Sequence, residues 1–322
     1  MISINIICGS LFLKTLTYGI NKDYSAIFLS LNAAHFFGII QSSALFRNRL
    51  KLAETVSSLE ESFKFLNVKL ERNKIRKIKV LIYLTCLAII TVHCVFTYVE
   101  FNFSETLYPE FLKNITSFLL GDNRSSEILR RCLVFMNCFS YQMAFTWFHC
   151  FLLYYCTVCW FLEAAFSHYR ILLQQEIDVD RLSSLHTIVS KTVLAIDDVF
   201  ARQVFWSCAF LLGNAFLYGY SSMRLAISQL VYGDIFLCFW SILSFVVLIT
   251  FASLVNESVN DIKTDCQLID FKFSHTLVNG LVLKITQTDV QLSIWKIVPM
   301  QRVTILNVLG AFFTYAVIIA AY

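Results

Sequence analysis

Long apolar runs, rather than short alternations of apolar and polar residues, organise this chain. An α-helix rises about 1.5 Å per residue, so roughly 20 apolar residues cross the hydrocarbon of a bilayer. Runs of that length occupy residues 25–46, 79–101, 132–162, 203–223, 235–255 and 302–322. The run 132–162 exceeds what a bilayer needs, which predicts a helix that tilts or projects beyond the membrane. Residues 2–20, ISINIICGSLFLKTLTYGI, form a seventh candidate interrupted by Lys14. A signal peptide is the competing reading there. It has no basic segment ahead of it and no clear small-residue cleavage site. The Lys14 stem can also snorkel to the interface. The expected fold class is therefore all-α: a polytopic membrane protein in which residues 1–322 form one seven-helix domain.

Two segments between the runs carry a different pattern. Residues 163–202 place Leu182, Leu185, Ile188, Val189, Thr192, Leu194, Ile196 and Val199 at helical spacing, and residues 276–300 also mix apolar with polar positions. Both are expected to be amphipathic helices that pack together beside the membrane. Such a bundle suits an anchor between subunits, and it equally suits packing within one subunit.

Composition agrees with the runs. Of 322 residues, 57% are hydrophobic and 15% are charged, where a soluble domain averages about 45–50% and about 25%. The mean hydropathy is +0.66. The net charge of +4 is small, and its distribution says more. Arg47, Arg49, Lys51, Lys64, Lys69, Arg72, Lys74, Arg76 and Lys77 lie between the second and third runs, with Lys79 at the edge. The positive-inside rule assigns this cluster to the cytoplasm. Alternation then puts the N-terminus inside, Tyr322 outside, and loop 102–131 outside. That loop carries the sequons at Asn102, Asn114 and Asn123, candidate glycosylation sites. A further sequon, Asn256-Glu-Ser258, falls inside and is expected to stay unused.

Candidate chemistry is thin. Most of the 11 cysteines lie in apolar runs, where free Cys packs as a small hydrophobe. The CxxC pair Cys156 and Cys159 has no further ligands or polar shell for a metal. The six histidines are scattered, with His93 and His149 the pair most able to meet across two spans. Asp197-Asp198 reads as a solvated or salt-bridged helix face. No phosphate loop is present, and no paired carboxylates or HExxH motif lie on a span, so no catalytic residue, cofactor or metal is expected. No basic and aromatic block points to nucleic acid.

The last run ends in TYAVIIAAY, residues 314–322. This resembles the signature TYhhhhhQF, with h apolar, that closes the final span of insect gustatory receptors. The preceding ITQTDVQLSIWKIVPMQRVTILNVLGAFF is similar to that family's approach to the span. The family motif falls on Thr314, Tyr315, Ala321 and Tyr322. Ala321 and Tyr322 stand where the family has Gln-Phe, which puts pore conductance in question and admits a subunit that works only in a heteromer. The resemblance implies a tetrameric ligand-gated cation channel in the cell membrane, homomeric or heteromeric. The final span of each subunit would line the pore, and a small organic tastant, bitter for many family members, would open it. With that resemblance, the helical stripe Asn307, Ala311, Thr314, Ile318 and Ala321 becomes the expected pore lining. Ile318 would be a constriction that gates by dewetting, and Tyr315 would pack against a neighbouring helix.

An apolar, aromatic-lined cavity suits such a ligand. The outer halves of the spans offer Phe96, Tyr98, Phe135, Phe139, Gln142, Thr146, Phe216, Tyr220, Phe239 and Trp240 as expected contacts. Aromatic residues also gather at membrane interfaces for packing alone. A seven-span receptor signalling through a partner protein and a small-molecule transporter are the competing functions. The chain shows neither the internal repeat nor the spans broken by Gly or Pro that a transporter would often have.

Overall fold

The computed structural model describes residues 43, 47 and 49–66, isolated positions between 76 and 91, and residues 127–175, 179–224, 230–272, 276–288, 290–294 and 296–321. The expected spans 2–20 and 25–46 and the loop 102–131 with Asn102, Asn114 and Asn123 lie outside or almost wholly outside these residues, as do Phe96, Tyr98 and Tyr322. Backbone contacts divide the chain into two units, Met1–Ser42 with Glu71–Phe151 and Ser43–Leu70 with Leu152–Tyr322.

In the first unit, the described positions from 76 to 91 are helical. Val80, Tyr83, Leu87 and Ile90 leave apolar side chains exposed, an arrangement that suits lipid better than water. Phe148, His149 and Phe151 are buried, and the rings of Phe148 and His149 meet edge to face at 5.3 Å.

The second unit is built from very long helices. Helix α1 spans Arg49–Leu66, α2 Glu127–Gln175, α3 Val179–Arg224 and α4 Leu230–Lys272. Helix α2 begins in the first unit and ends in the second. It has 49 residues, or roughly 70 Å, so a bilayer spans less than half of it. The expected segment 163–202 is therefore not one helix. Its first part finishes α2, and its second continues without a break into the apolar part of α3. The helical spacing read from the sequence holds along α3: Leu182, Leu185, Val189, Thr192, Ile196 and Val199 are buried, with Val193 added. Leu194 is 45% exposed and lies off this face.

Helix α4 packs along α3, and Phe245, Leu248, Ile249, Ala252 and Val255 on its inner face are at most 1% exposed. Its opposite face is apolar too: Ile235, Phe236, Phe239 and Leu243 are exposed. A helix apolar all round belongs to a membrane or a large core. Among the described residues, Phe148–Gln175 and Ile235–Cys266 are long and apolar enough to cross a membrane.

Helix α1 is a feature that sequence reading treated as a basic loop. Glu54, Glu60 and Glu61 interleave with its basic residues. Thr55 and Leu59 are buried where α1 packs on α3, while Lys64 and Glu60 pair on the exposed face at 2.7 Å.

The expected helix 276–300 is also corrected. Helix α5 covers only Thr276–Gln287. Antiparallel strands β1 (Ser293–Ile294) and β2 (Val298–Pro299) follow, with Ser293 opposite Pro299 and Ile294 opposite Val298. Thr288 ends the helix by returning both its amide and its hydroxyl to the Lys284 carbonyl. Pro299 has no amide to donate and disfavours a helical residue before it. Helix α6, Arg302–Ala321, then completes the chain's last apolar run.

Candidate functional site: the final helix and its foot

Helix α6 meets the rest of its unit along one narrow face. Thr304, Ile305, Val308, Leu309 and Phe312 are half-buried, and α6 contacts both α3 and α4. Gly219 sits at this junction. A Cβ there would lie 3.6 Å from both Cys238 Sγ and Phe312 Cζ. The Cys238 thiol donates to the Ala215 carbonyl at 3.3 Å, joining α4 to α3 just beside it.

Among the described residues, the remaining circumference of α6 is exposed. At about 100° per residue, the stripe Asn307, Ala311, Thr314 and Ile318 is centred roughly 120° from the packed face. All four residues are exposed. A second exposed stripe contains Val303, Leu306, Phe313 and Val317, between 51% and 70% exposed and wholly apolar. The two stripes differ in chemistry: the first holds Asn307 and Thr314, the second holds no polar group. The Thr314 hydroxyl donates to the Gly310 carbonyl at 2.8 Å, which satisfies it inside its own helix. Tyr315 is 61% exposed within the single chain. Ala321 ends the helix, and its side chain lies outside the described residues, as Tyr322 does.

The foot of α6 is held by a polar cluster that sequence reading missed. Asn256 on α4 is buried and makes three hydrogen bonds. Its amide nitrogen donates to the carbonyls of Leu292 at 3.0 Å and Met300 at 2.8 Å, and its oxygen accepts the Leu292 amide at 2.7 Å. Asn256 thus binds both ends of the hairpin. Asp197 on α3 accepts the Ser293 amide at 2.7 Å and the Ser293 hydroxyl at 2.9 Å. Only half of the expected Asp197-Asp198 face is solvated. Asp198 pairs with Lys296 in the open, whereas Asp197 is buried. Burial pushes the Asp197 carboxyl above its ordinary value, opposed by the Ser293 hydrogen bonds and the Lys296 charge.

Lys296 adopts a left-handed φ of 57°, which costs a residue with a Cβ on the order of 1 kcal/mol. Just beyond the hairpin, Arg302 reaches Glu257 at 2.7 Å. From α2, Tyr155 is 1% exposed, stacks edgewise on Phe200 at 5.7 Å and points its hydroxyl at the Met300 sulfur, 4.0 Å away. Two signals for this cluster were present in the sequence: Pro299 as a helix breaker, and a polar Asn256 at the end of an apolar run.

The expected ligand contacts are only partly placed. Phe135, Phe139 and Gln142 lie on α2 and Tyr220 on α3, but their side chains fall outside the described residues. Thr146 is half-buried in the first unit. Phe216 and Phe239 point outward, 40% and 62% exposed. Trp240 is half-buried and stacks on Phe236 with ring centroids 6.1 Å apart. The described cysteines are free, with Cys159, Cys208 and Cys266 buried. Among the described residues, no three His, Cys, Asp or Glu side chains gather to hold a metal.

No family model and no curated protein matches the chain. Solved structures do. The insect olfactory receptor OR5 from Machilis hrabei superposes with a TM-score of 0.66 at 12% identity, covering 98% of this chain and 86% of that one. The same receptor in complex with eugenol gives a TM-score of 0.57 at 13% identity, over 99% and 87% of the two chains. The likeness spans nearly the whole chain at an identity too low to carry residue roles. The chain has the helical fold of an insect olfactory receptor.

Proposed function

We propose that this chain is a subunit of a chemosensory, ligand-gated cation channel of the gustatory receptor kind. The carrying observation is α6. It presents a stripe with Asn307, Ala311, Thr314 and Ile318 exposed away from its own subunit, within a fold shared with an olfactory receptor. In a tetramer of such subunits, or of this subunit with related ones, that stripe lines a central pore in the cell membrane. The wholly apolar second stripe faces lipid or a neighbouring helix. The chain crosses the bilayer seven times with its N-terminus inside, and Asn114 and Asn123 in the outer loop carry glycans, with Asn102 a third candidate. The ligand is a small organic molecule. One solved relative in fold binds eugenol, and a tastant of the bitter class fits the same description. Phe216, Tyr220, Phe239 and Trp240 are the candidates for its contacts on α3 and α4. The work of the protein is ion conduction and not catalysis.

The test is whole-cell current from cells expressing the chain alone, screened with eugenol, pooled bitter compounds and sugars. Wild type is compared with Ala321→Gln and Ile318→Ala. A ligand-evoked cation current altered by either substitution supports the reading. Current only in Ala321→Gln assigns the chain to heteromers in which a partner supplies the missing pore amide. Concentrative uptake of ligand without current would favour the transporter instead.

A further inference from the structure

The hairpin 292–300 joins α5 to α6, yet its strands are only two residues each. Two strands of that length do not hold themselves together in water. Its order comes from outside. Asn256 closes both of its ends, through the Leu292 amide and the Leu292 and Met300 carbonyls. Asp197 holds its first strand through Ser293. Lys296 ties the turn to Asp198, and Arg302 ties the first residue of α6 to Glu257. Two neighbouring pairs, Asp197-Asp198 on α3 and Asn256-Glu257 on α4, therefore do the same thing. In each, the first residue is buried and grips hairpin backbone, while the second forms an ion pair nearer the surface. Helix α6 itself touches α3 and α4 along only one face, so its foot is fixed chiefly by what fixes the hairpin.

We infer that this hairpin is the mechanical coupling between the α3–α4 pair and the pore-lining helix, with Asn256 and Asp197 as its positioning residues. A shift of α4 against α3 moves Asn256 relative to Asp197, and both hold the same short segment. The two ends of the segment are also tied to each other, since Met300 donates its amide to the Leu292 carbonyl at 3.1 Å. The displacement therefore passes to residues 301–306 at the foot of α6. Buried side chain to backbone bonds suit this role, since each leaves an unsatisfied group if it breaks alone. The exposed ion pairs fix orientation with little energy of their own.

This inference rests on the reading of α6 as pore-lining, and the two fail in different experiments. Hydrogen exchange is followed on the full-length protein in lipid nanodiscs, comparing wild type with Asn256→Ala. The expected result is exchange faster by about tenfold or more at Leu292, Ser293 and Met300. A matching acceleration is expected across residues 301–306, with residues 185–200 of α3 as protected as before. Faster exchange confined to the hairpin, with 301–306 unchanged, would show a local structural role and overturn the coupling. Unchanged exchange in both segments would overturn the clamp itself. If Asn256→Ala loses protection everywhere, Asp197→Ala carries the same three outcomes, because it removes the acceptors of the Ser293 amide and hydroxyl. Failure of the pore reading appears elsewhere, as cysteines at 314 and 318 that charged thiol reagents do not reach in any variant.

Discussion

Acid should loosen the helical packing around α3 through one residue, His186. The imidazole is 5% exposed on α3. Its Nε2 lies 3.3 Å from the Ser190 hydroxyl, and its Nδ1 has no partner. The Tyr169 ring faces it from α2 at 6.0 Å. Burial depresses its pKa from 6.5 to about 4, with the charges of Lys284 on α5 and Lys263 on α4 adding to the effect. The folded state thus holds neutral histidine, while the unfolded chain protonates near the ordinary value. Stability from this group is complete at neutral pH and declines as pH falls below 6.5, until the folded group also titrates near 4. One pKa unit is about 1.36 kcal/mol, so the loss is about 2 kcal/mol at pH 5 and about 3 kcal/mol at its limit. The variant His186→Leu removes the titration and leaves an apolar side chain in an apolar site. Ser190 can then donate to the carbonyl four residues back. Thermal unfolding of the purified protein between pH 7.4 and 5 measures the difference. Wild type should lose stability over that range by about 2 kcal/mol more than the variant. Parallel pH curves for the two proteins would refute the reasoning.

Other expectations follow from single residues. Leu248 on α4 is fully buried, so Leu248→Ala should cost about 2–5 kcal/mol and reduce the surface expression of the protein. Enzymatic deglycosylation should shift the mass of wild type, less that of Asn114→Gln or Asn123→Gln, and Asn256→Gln should leave the glycan content unchanged. Gly219→Leu should disturb the junction of α3, α4 and α6, because a Cβ already lies 3.6 Å from Cys238 and Phe312. Its effect should appear as altered current at normal surface expression, whereas Gly213→Ala, with open space around it, should behave as wild type.

The apolar runs made the long helices legible because lipid and a helical core both demand continuous apolar length. What they could not give was the junctions. The expected boundary between an amphipathic helix and a span vanishes in α3, where the same run of backbone hydrogen bonds continues from Leu182 to Tyr218. Residues 276–300 carried a helix-compatible apolar pattern, and the turn at Thr288 and the break before Pro299 outweighed it. Asp197 and Asp198 look identical in sequence and differ by about 100° on the helix, which buries one and leaves the other in water. The hairpin clamp was illegible for a further reason. Its bonds run from side chains to backbone groups of residues distant in sequence, and backbone groups leave no trace in residue type. The stripe on α6 was legible only with the family resemblance, since helical spacing alone also allows ordinary packing. The structure adds that its four described members face away from α3 and α4.

A cysteine scan of α6 tests the central claim most directly. Each residue from 303 to 318 is replaced in turn, and block of the ligand-evoked current by a small charged thiol reagent is recorded. The account predicts block at 307, 311, 314 and 318, recurring with the helical period, and none at 304, 308 and 312 on the packed face. Block that follows 304, 308 and 312, or reactivity with no helical period, would contradict a pore lined by this stripe.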